Sequence, residues 1–163
     1  MPTQTIRLIE IGRDGTPTEA LSSLPKVASE VCASTATLYQ KAGFSPPWIG
    51  YLALSGPDVV GTCAFTSAPS AGRVEIAYFT FPLFERRGVA SAMAAQLIAM
   101  ARAAQPDIEV FAHTLPEPNV SNRLLSRLGF EFAGQVIDAD DGPVWEWRLA
   151  PSSNSAIQPS APR

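Results

Sequence analysis

Apolar positions along this chain change period several times, and the changes divide it into elements. Thr5–Ile11 (TIRLIEI) puts Ile6, Leu8 and Glu10 on one side and Arg7, Ile9 and Ile11 on the other, a β-branched run that predicts a first strand. From Ser23 the spacing lengthens to that of a helix. Ser23 is placed to cap it and Pro25 suits its first turn. Val27, Val31, Leu38, Tyr39 and Ala42 then recur at helical intervals up to Gly43, which predicts a helix over Leu24–Ala42, with Glu19–Leu21 as a further helical turn before it. Pro46 and Pro47 cannot continue that helix. Ile49–Leu54, Val59–Phe65 and Arg73–Phe81 read as three strands of a meander, separated by the Ser55-Gly56-Pro57-Asp58 turn and the polar Thr66–Gly72 connection.

The second half returns to helical spacing. Gly88–Ala104 carries Val89, Met93, Leu97 and Met100 on one stripe, with Ile98 and Ala101 alongside and Ser91, Gln96 and Arg102 opposite. Its alanines suit close packing on a sheet. Pro106 ends it and Ile108–Thr114 follows as a strand, so the βαβ spacing predicts that this strand lies parallel to Val74–Phe81. Asn119 is placed to cap a short helix through Leu128, with Val120, Leu124, Leu125 and Leu128 inward and Gly129 turning the chain out. Phe130–Asp138 and Val144–Leu149 form a last hairpin around Ala139–Gly142. The sum is an α/β (α+β) fold with a mixed, mostly antiparallel sheet, one parallel strand–helix–strand unit and helices on both faces. A single domain over 1–150 is expected, followed by a Pro- and Ser-rich tail over 151–163 with too little to bury to be ordered.

Composition narrows the functional classes. Of 163 residues, 46% are apolar and 17% charged, which fits one globular domain with its own core. A net charge of −3 without a basic stripe argues against a nucleic-acid partner. No apolar run is long enough to span a membrane, and MPTQTIRLIEIG lacks a basic segment leading into an apolar one, so a cytoplasmic protein with no membrane partner is expected. Cys32 and Cys63 sit in apolar-patterned segments and are expected as buried, reduced thiols. With one histidine they cannot build a standard zinc site, so no metal is expected.

The chemistry concentrates in Val74–Ala104, where an apolar strand enters a short loop holding Arg86, Arg87 and Gly88 and a helix follows at once. A backbone turning from strand to helix at a glycine aims several N–H groups at one point, and the helix dipole adds partial positive charge there. Cations at a helix start are slightly unfavourable in isolation, so a phosphate-bearing ligand explains the two arginines better than solvation does.

The order β-α-β-β-β-α-β-α-β-β with this loop resembles the GCN5-related N-acetyltransferase (GNAT) family over roughly Thr5 to Leu149. In that family an (Arg/Gln)-x-x-Gly-x-(Gly/Ala) loop binds the pyrophosphate of coenzyme A, and Glu85-Arg86-Arg87-Gly88-Val89-Ala90 is the matching stretch here. Thr114–Phe130 (TLPEPNVSNRLLSRLGF) is similar to the Asn-containing loop and helix of the branch that includes ribosomal-protein N-acetyltransferases. The resemblance implies acetyl-CoA as cofactor and transfer of its acetyl group to a primary amine, a small molecule or a peptide N-terminus, by direct attack in a ternary complex. It implies backbone binding of the pyrophosphate over Arg86–Ser91, including Val89, Ala90 and Ser91. Two residues depart from the pattern: Glu85 cannot bind phosphate through its side chain, and Pro118 stands where the branch often has asparagine, which leaves Asn119 as the polar contact to the cofactor. Those departures keep a catalytically inactive coenzyme A-binding module as the alternative. An unrelated phosphate-binding α/β enzyme rests on the glycine loop alone.

Amine acylation needs a neutral amine, an oxyanion donor and a proton for the leaving thiolate. An α-amino group (pKa about 7.7–8.0) loses its proton far more readily than a lysine-like amine (about 10.4). Glu75, on the strand leading to the loop, is either the base, acting through water, or a solvated strand glutamate. Tyr78 is an acid or a core residue; its strand parity opposes that of Glu75 unless a bulge intervenes, and a bulge here is a family feature. Ser121, at the start of the short helix, is either the thiolate's donor, as its counterpart in the branch is thought to be, or a first-turn serine. A backbone N–H among Phe79, Thr80 and Phe81 is the expected oxyanion donor. His113 reads as a packed histidine at a strand end; a Ser121–His113–acid triad has no support in the spacing. Glu117, Asp138, Asp140 and Asp141 read as solvated loop charges. Trp48, Trp145 and Trp147 read as core or hairpin-face residues. Glu19–Trp48, Thr66–Gly72 and Asp138–Val144 are expected to shape the acceptor pocket, and the last hairpin offers strands for pairing with a second copy as a homodimer.

Overall fold

The computed structural model of the chain describes residues 5–151 and follows the predicted order of elements. The expected tail lies, beyond Pro151, outside the described residues. The elements are β1 (Arg7–Glu10), α1 (Lys26–Ala42), β2 (Gly50–Ser55), β3 (Asp58–Phe65), β4 (Arg73–Thr80), a 3-10 turn (Pro82–Phe84), α2 (Val89–Ala104), β5 (Glu109–Thr114), α3 (Val120–Arg127), β6 (Glu131–Asp138) and β7 (Gly142–Leu149). The seven strands pair in the order β1-β2-β3-β4-β5-β7-β6, and only the β4–β5 pairing is parallel. The chain forms two compact units: one runs through Ala68 and includes Ile76–Leu97, the other holds Pro69–Glu75 and the chain from Ile98 onward.

In the first unit, strand register decides which residues become core. Ile9 faces Leu52 across β1 and β2, and Leu54 faces Val59 across β2 and β3. These side chains join Ile11, Ala28, Cys32 and Phe81 in one apolar cluster against which Val27 and Val31 of α1 pack. The β2–β3 register shifts between Ala53 and Leu54. Beyond the shift Gly61 faces the opposite side from Thr62, and a Cβ built on Gly61 would come within 2.7 Å of the Phe79 carbonyl oxygen and 3.1 Å of Met93 Cε of α2. Helices therefore cover both faces of this part of the sheet. Tyr39 of α1 ties two strands together: its hydroxyl donates to the Ile11 carbonyl (2.8 Å) and accepts from the Gly50 N–H (2.9 Å).

Two expectations about the first helix fail here. Ser23 is not its cap: the helix opens after Pro25, whose extended ψ of 157° marks the boundary, and no side chain caps it. Glu19–Leu21 is not helical, because its neighbourhood is tied to β1 instead, by the Ile11–Pro17 bridge and the Arg7–Glu19 ion pair at 2.7 Å. Gly43 does end the helix, with φ at 93° and its N–H on the Tyr39 carbonyl.

In the second unit, Arg73–Glu75 of β4 pair with Glu109–Phe111 of β5, and β5 pairs on with β7. The start of α3 is fixed as predicted: Asn119 Oδ1 accepts the Asn122 N–H at 3.0 Å. Leu124 and Leu125 are buried, but Val120, the first residue of the helix, is 67% exposed rather than inward.

Candidate active site

β4 carries the first group of site residues. Glu75 is half-buried on an internal strand: its Oε2 lies 3.4 Å from His113 Nδ1, and its side chain is 25% exposed. On its other nitrogen, His113 Nε2 lies 3.1 Å from Glu146 Oε1. Glu146 is buried on β7, and its second oxygen accepts from Arg148 Nε (2.7 Å) and Arg73 Nη2 (2.8 Å). Arg73 also donates to Glu109 (2.7 Å) and stacks on Phe111, 4.1 Å from the ring centroid. Burial alone would raise the Glu146 carboxyl; hydrogen bonds from Arg148, His113 and Arg73 outweigh it and hold the group below its ordinary value. His113 is thus not merely a packed histidine, and both its ring nitrogens face carboxylates, which leaves neither for a triad with Ser121.

Asp138 lies 3.9 Å from His113 Nδ1 through Oδ1. Its Oδ2 accepts the Asp140 and Asp141 N–H groups at 3.0 Å each, and those turn hydrogen bonds lower its pKa. It is a turn-forming residue rather than a solvated loop charge.

Further along β4, Ile76–Thr80 pair with Phe65–Gly61 of β3 without a register shift. No bulge within that stretch brings Tyr78 to the parity of Glu75. The Phe81 N–H donates to the Val60 carbonyl at 2.9 Å, which removes it as an oxyanion donor. By the alternation of an antiparallel ladder, the Phe79 N–H points the same way and that of Thr80 the other.

The loop that follows has an unusual backbone. Arg86 adopts a left-handed φ of 67°, and Gly88 follows at 80°. Alternating left-handed residues just before a helix turn successive N–H groups into a concave nest suited to an anion. Gly88 is needed for its φ, and a Cβ there would meet nothing within 4 Å, so the space above it is open. Val89, Ala90 and Ser91 form the first turn of α2, whose leading N–H groups have no intrahelical acceptor. Arg86 and Arg87 are exposed, Arg87 with its guanidinium 5.2 Å from the Phe84 ring centroid. Glu85 is exposed as well.

Asn119 is half-committed. Its carbonyl oxygen caps α3, which leaves its amide N–H groups as the polar contact it can offer. Ser121 is the second residue of α3 and half-buried. Asn122, which the sequence reading passed over, is buried; its Oδ1 accepts from Thr114 Oγ1 (2.7 Å) and its Nδ2 donates to the Glu117 carbonyl (2.6 Å). Glu146 was also missed, although its parity with buried Val144 in VWEWRL was a readable signal of an inward carboxylate.

A cleft of about 370 Å³ opens in the first unit. Val27, Glu30, Val31 and Leu38 of α1 line one side, Thr62 of β3 and Tyr78 and Phe79 of β4 the other. Of the segments expected around an acceptor, the Glu19–Trp48 stretch supplies these α1 residues, and β3 and β4 supply the rest. In the unshifted β3–β4 register Tyr78 pairs with Cys63 and shares the face of Gly61, which α2 covers, so its half-buried side chain lies on the sheet face opposite Thr62 and Phe79.

A strand running into a left-handed anion loop and a helix start, followed by a parallel strand and an Asn-capped helix, defines a coenzyme A-dependent acyltransferase fold. Residues 12–131 match the family model of the acetyltransferase (GNAT) domain. The chain belongs to that family, whose members use acetyl-CoA. A sequence search of curated proteins returns no match. Among solved structures, a Salmonella typhimurium acetyltransferase that modifies the N-terminal serine of a 50S ribosomal subunit protein shares 14% identity at a TM-score of 0.62, over 92% of this chain and 97% of its own. A spermidine N-acetyltransferase chimera built on the Vibrio cholerae enzyme shares 13% identity at 0.66, over 91% and 96%. A microcin self-immunity acetyltransferase, solved with acetyl-CoA and AMP, shares 14% identity at 0.60, over 76% and 70%. At these identities the likeness is one of fold.

Proposed function

We propose that this protein moves the acetyl group of acetyl-CoA to a primary amine by direct attack in a ternary complex, with 1–150 acting as one acyltransferase domain in the cytoplasm. The observation that carries the reading is the paired left-handed backbone at Arg86 and Gly88 entering α2, which suits a pyrophosphate. In this reading N–H groups over Arg86–Ser91 hold the diphosphate, the two arginines add charge, and the Asn119 amide contacts the cofactor. The Thr80 N–H receives the oxyanion. Glu75 takes the amine's proton through water, and Ser121 or Tyr78 protonates the thiolate.

For the acceptor, the cleft between α1 and the Thr62–Phe79 face of the sheet offers apolar walls and one carboxylate, Glu30, which suits an amine joined to an apolar body. The spermidine and N-terminal serine acceptors of its structural neighbours extend the panel to polyamines and peptide N-termini. The test is release of coenzyme A thiol from acetyl-CoA in the presence of amines, amino acids, polyamines and peptides, with mass spectrometry of the products. Turnover with at least one amine is expected, together with a rise in Tm on adding coenzyme A. A thermal shift with no turnover would favour the inactive coenzyme A-binding module. No shift would defeat the reading altogether.

A further inference from the structure

We propose that His113 is a positioning residue for the proposed base: it receives from Glu75 the proton taken from the amine, while Glu146 holds its ring in the receiving tautomer. The inference rests on the assignment of Glu75 above, and its geometry lies wholly within the second unit. Glu146 Oε1 faces Nε2 at 3.1 Å, and two guanidiniums already occupy its other oxygen. A carboxylate so compensated stays ionised and selects the imidazole with hydrogen on Nε2. Nδ1 is then a lone pair 3.4 Å from Glu75 Oε2. Two acceptors facing each other repel, and a proton entering between them relieves that repulsion. At rest the gap between Glu75 and His113 holds no proton, and during the reaction it takes up one.

Of the other groups near the ring, Asp138 favours a proton on it, while Arg73 and Arg148 oppose one only through Glu146. From β6, Asp138 Oδ1 stands 3.9 Å from Nδ1; from β7, Arg148 touches Glu146 rather than the ring; from β4, Arg73 does the same. Phe111 of β5 flanks the ring at 5.4 Å between centroids. An imidazolium formed here is surrounded by three carboxylates and, among the described residues, meets no cation directly.

The step balances. The amine enters as R–NH3+ and loses one proton through water to Glu75 and on to Nδ1; the N–C bond then forms as the C–S bond breaks, a second proton ends on the thiolate, and the amide keeps the third. The His113 side chain is 16% exposed, which gives that proton a way back to solvent.

His113 is the sole histidine in the chain, so its imidazole can be followed alone by 15N NMR. In the neutral form the proton is expected on Nε2, and Glu75→Gln is expected to change the 15N chemical shift of Nδ1. In kinetics, His113→Gln should lower kcat about tenfold or more, leave KM for acetyl-CoA within about twofold, and displace the acid limb of the pH profile. The double variant Glu75→Gln/His113→Gln should be no slower than Glu75→Gln alone. A proton on Nδ1, a ring indifferent to Glu75→Gln, or multiplying losses in the double variant would overturn the proposal. Glu75→Gln keeps the imidazole and its Glu146 contact, so it carries the test if His113→Gln does not fold. If the wild type acetylates no amine, the proposed function fails, while the NMR result still decides the Glu75–His113 pair.

Discussion

Two glycines in this chain do different work, and each sets a distinct expectation. Gly61 admits the Phe79 carbonyl at a distance no Cβ tolerates, so Gly61→Ala should destabilise the protein by about 1–3 kcal/mol in denaturant titration while leaving free Gly88 unaltered. Gly88 has open space around it and is held only by its φ of 80°. Gly88→Ala should cost about 1–2 kcal/mol of local strain and reshape the anion loop. The coenzyme A thermal shift should shrink more than the Tm of the free protein falls. The sequence pointed to Gly88 because glycine, flanking arginines and a helix start coincide there. It was silent on Gly61, whose constraint comes from a carbonyl eighteen residues away, across a strand pairing.

Among the elements, α3 was read almost completely from its pattern, since Asn119, the Leu124-Leu125 pair and Gly129 are local signals with local consequences. Asn119→Ala should cost about 1 kcal/mol through loss of the cap. Asn122→Ala should cost more, about 2–3 kcal/mol, because it breaks a largely buried chain of hydrogen bonds in which Trp147 Nε1 donates to Thr114 Oγ1, Thr114 Oγ1 to Asn122 Oδ1, and Asn122 Nδ2 to the Glu117 carbonyl. Equilibrium unfolding of the two variants side by side checks the order. At the first helix the same local rules misplaced the start, because a proline with extended ψ ends the preceding segment whether or not a serine precedes it. The Glu75–His113–Glu146 arrangement lay beyond such rules altogether. Its three members come from β4, β5 and β7, and only tertiary pairing brings them together.

For the molecule as a whole, the cluster around Glu146 ties stability to pH. A carboxyl whose folded pKa lies below its unfolded value binds fewer protons when folded, so its contribution is present above about pH 4.3 and is lost as pH falls through the folded value. Glu146→Gln should therefore lower Tm at neutral pH and converge on the wild type as pH falls below about 4, measured by thermal denaturation across that range. The variant's unfolding should be flatter with pH because the titrating group is gone.

Both thiols of this chain are buried, Cys32 at 6% exposure and Cys63 at 2%, and burial raises the pKa of each. Thiolate is the reacting species, so the folded protein should be nearly silent to a disulfide reagent. That silence makes a colorimetric reagent usable in continuous acetyl-transfer assays, where every fast-reacting sulfur is product. It also makes the same reagent a clock for opening: under denaturing conditions, any slow phase of colour beyond the product signal reports the first unit coming apart.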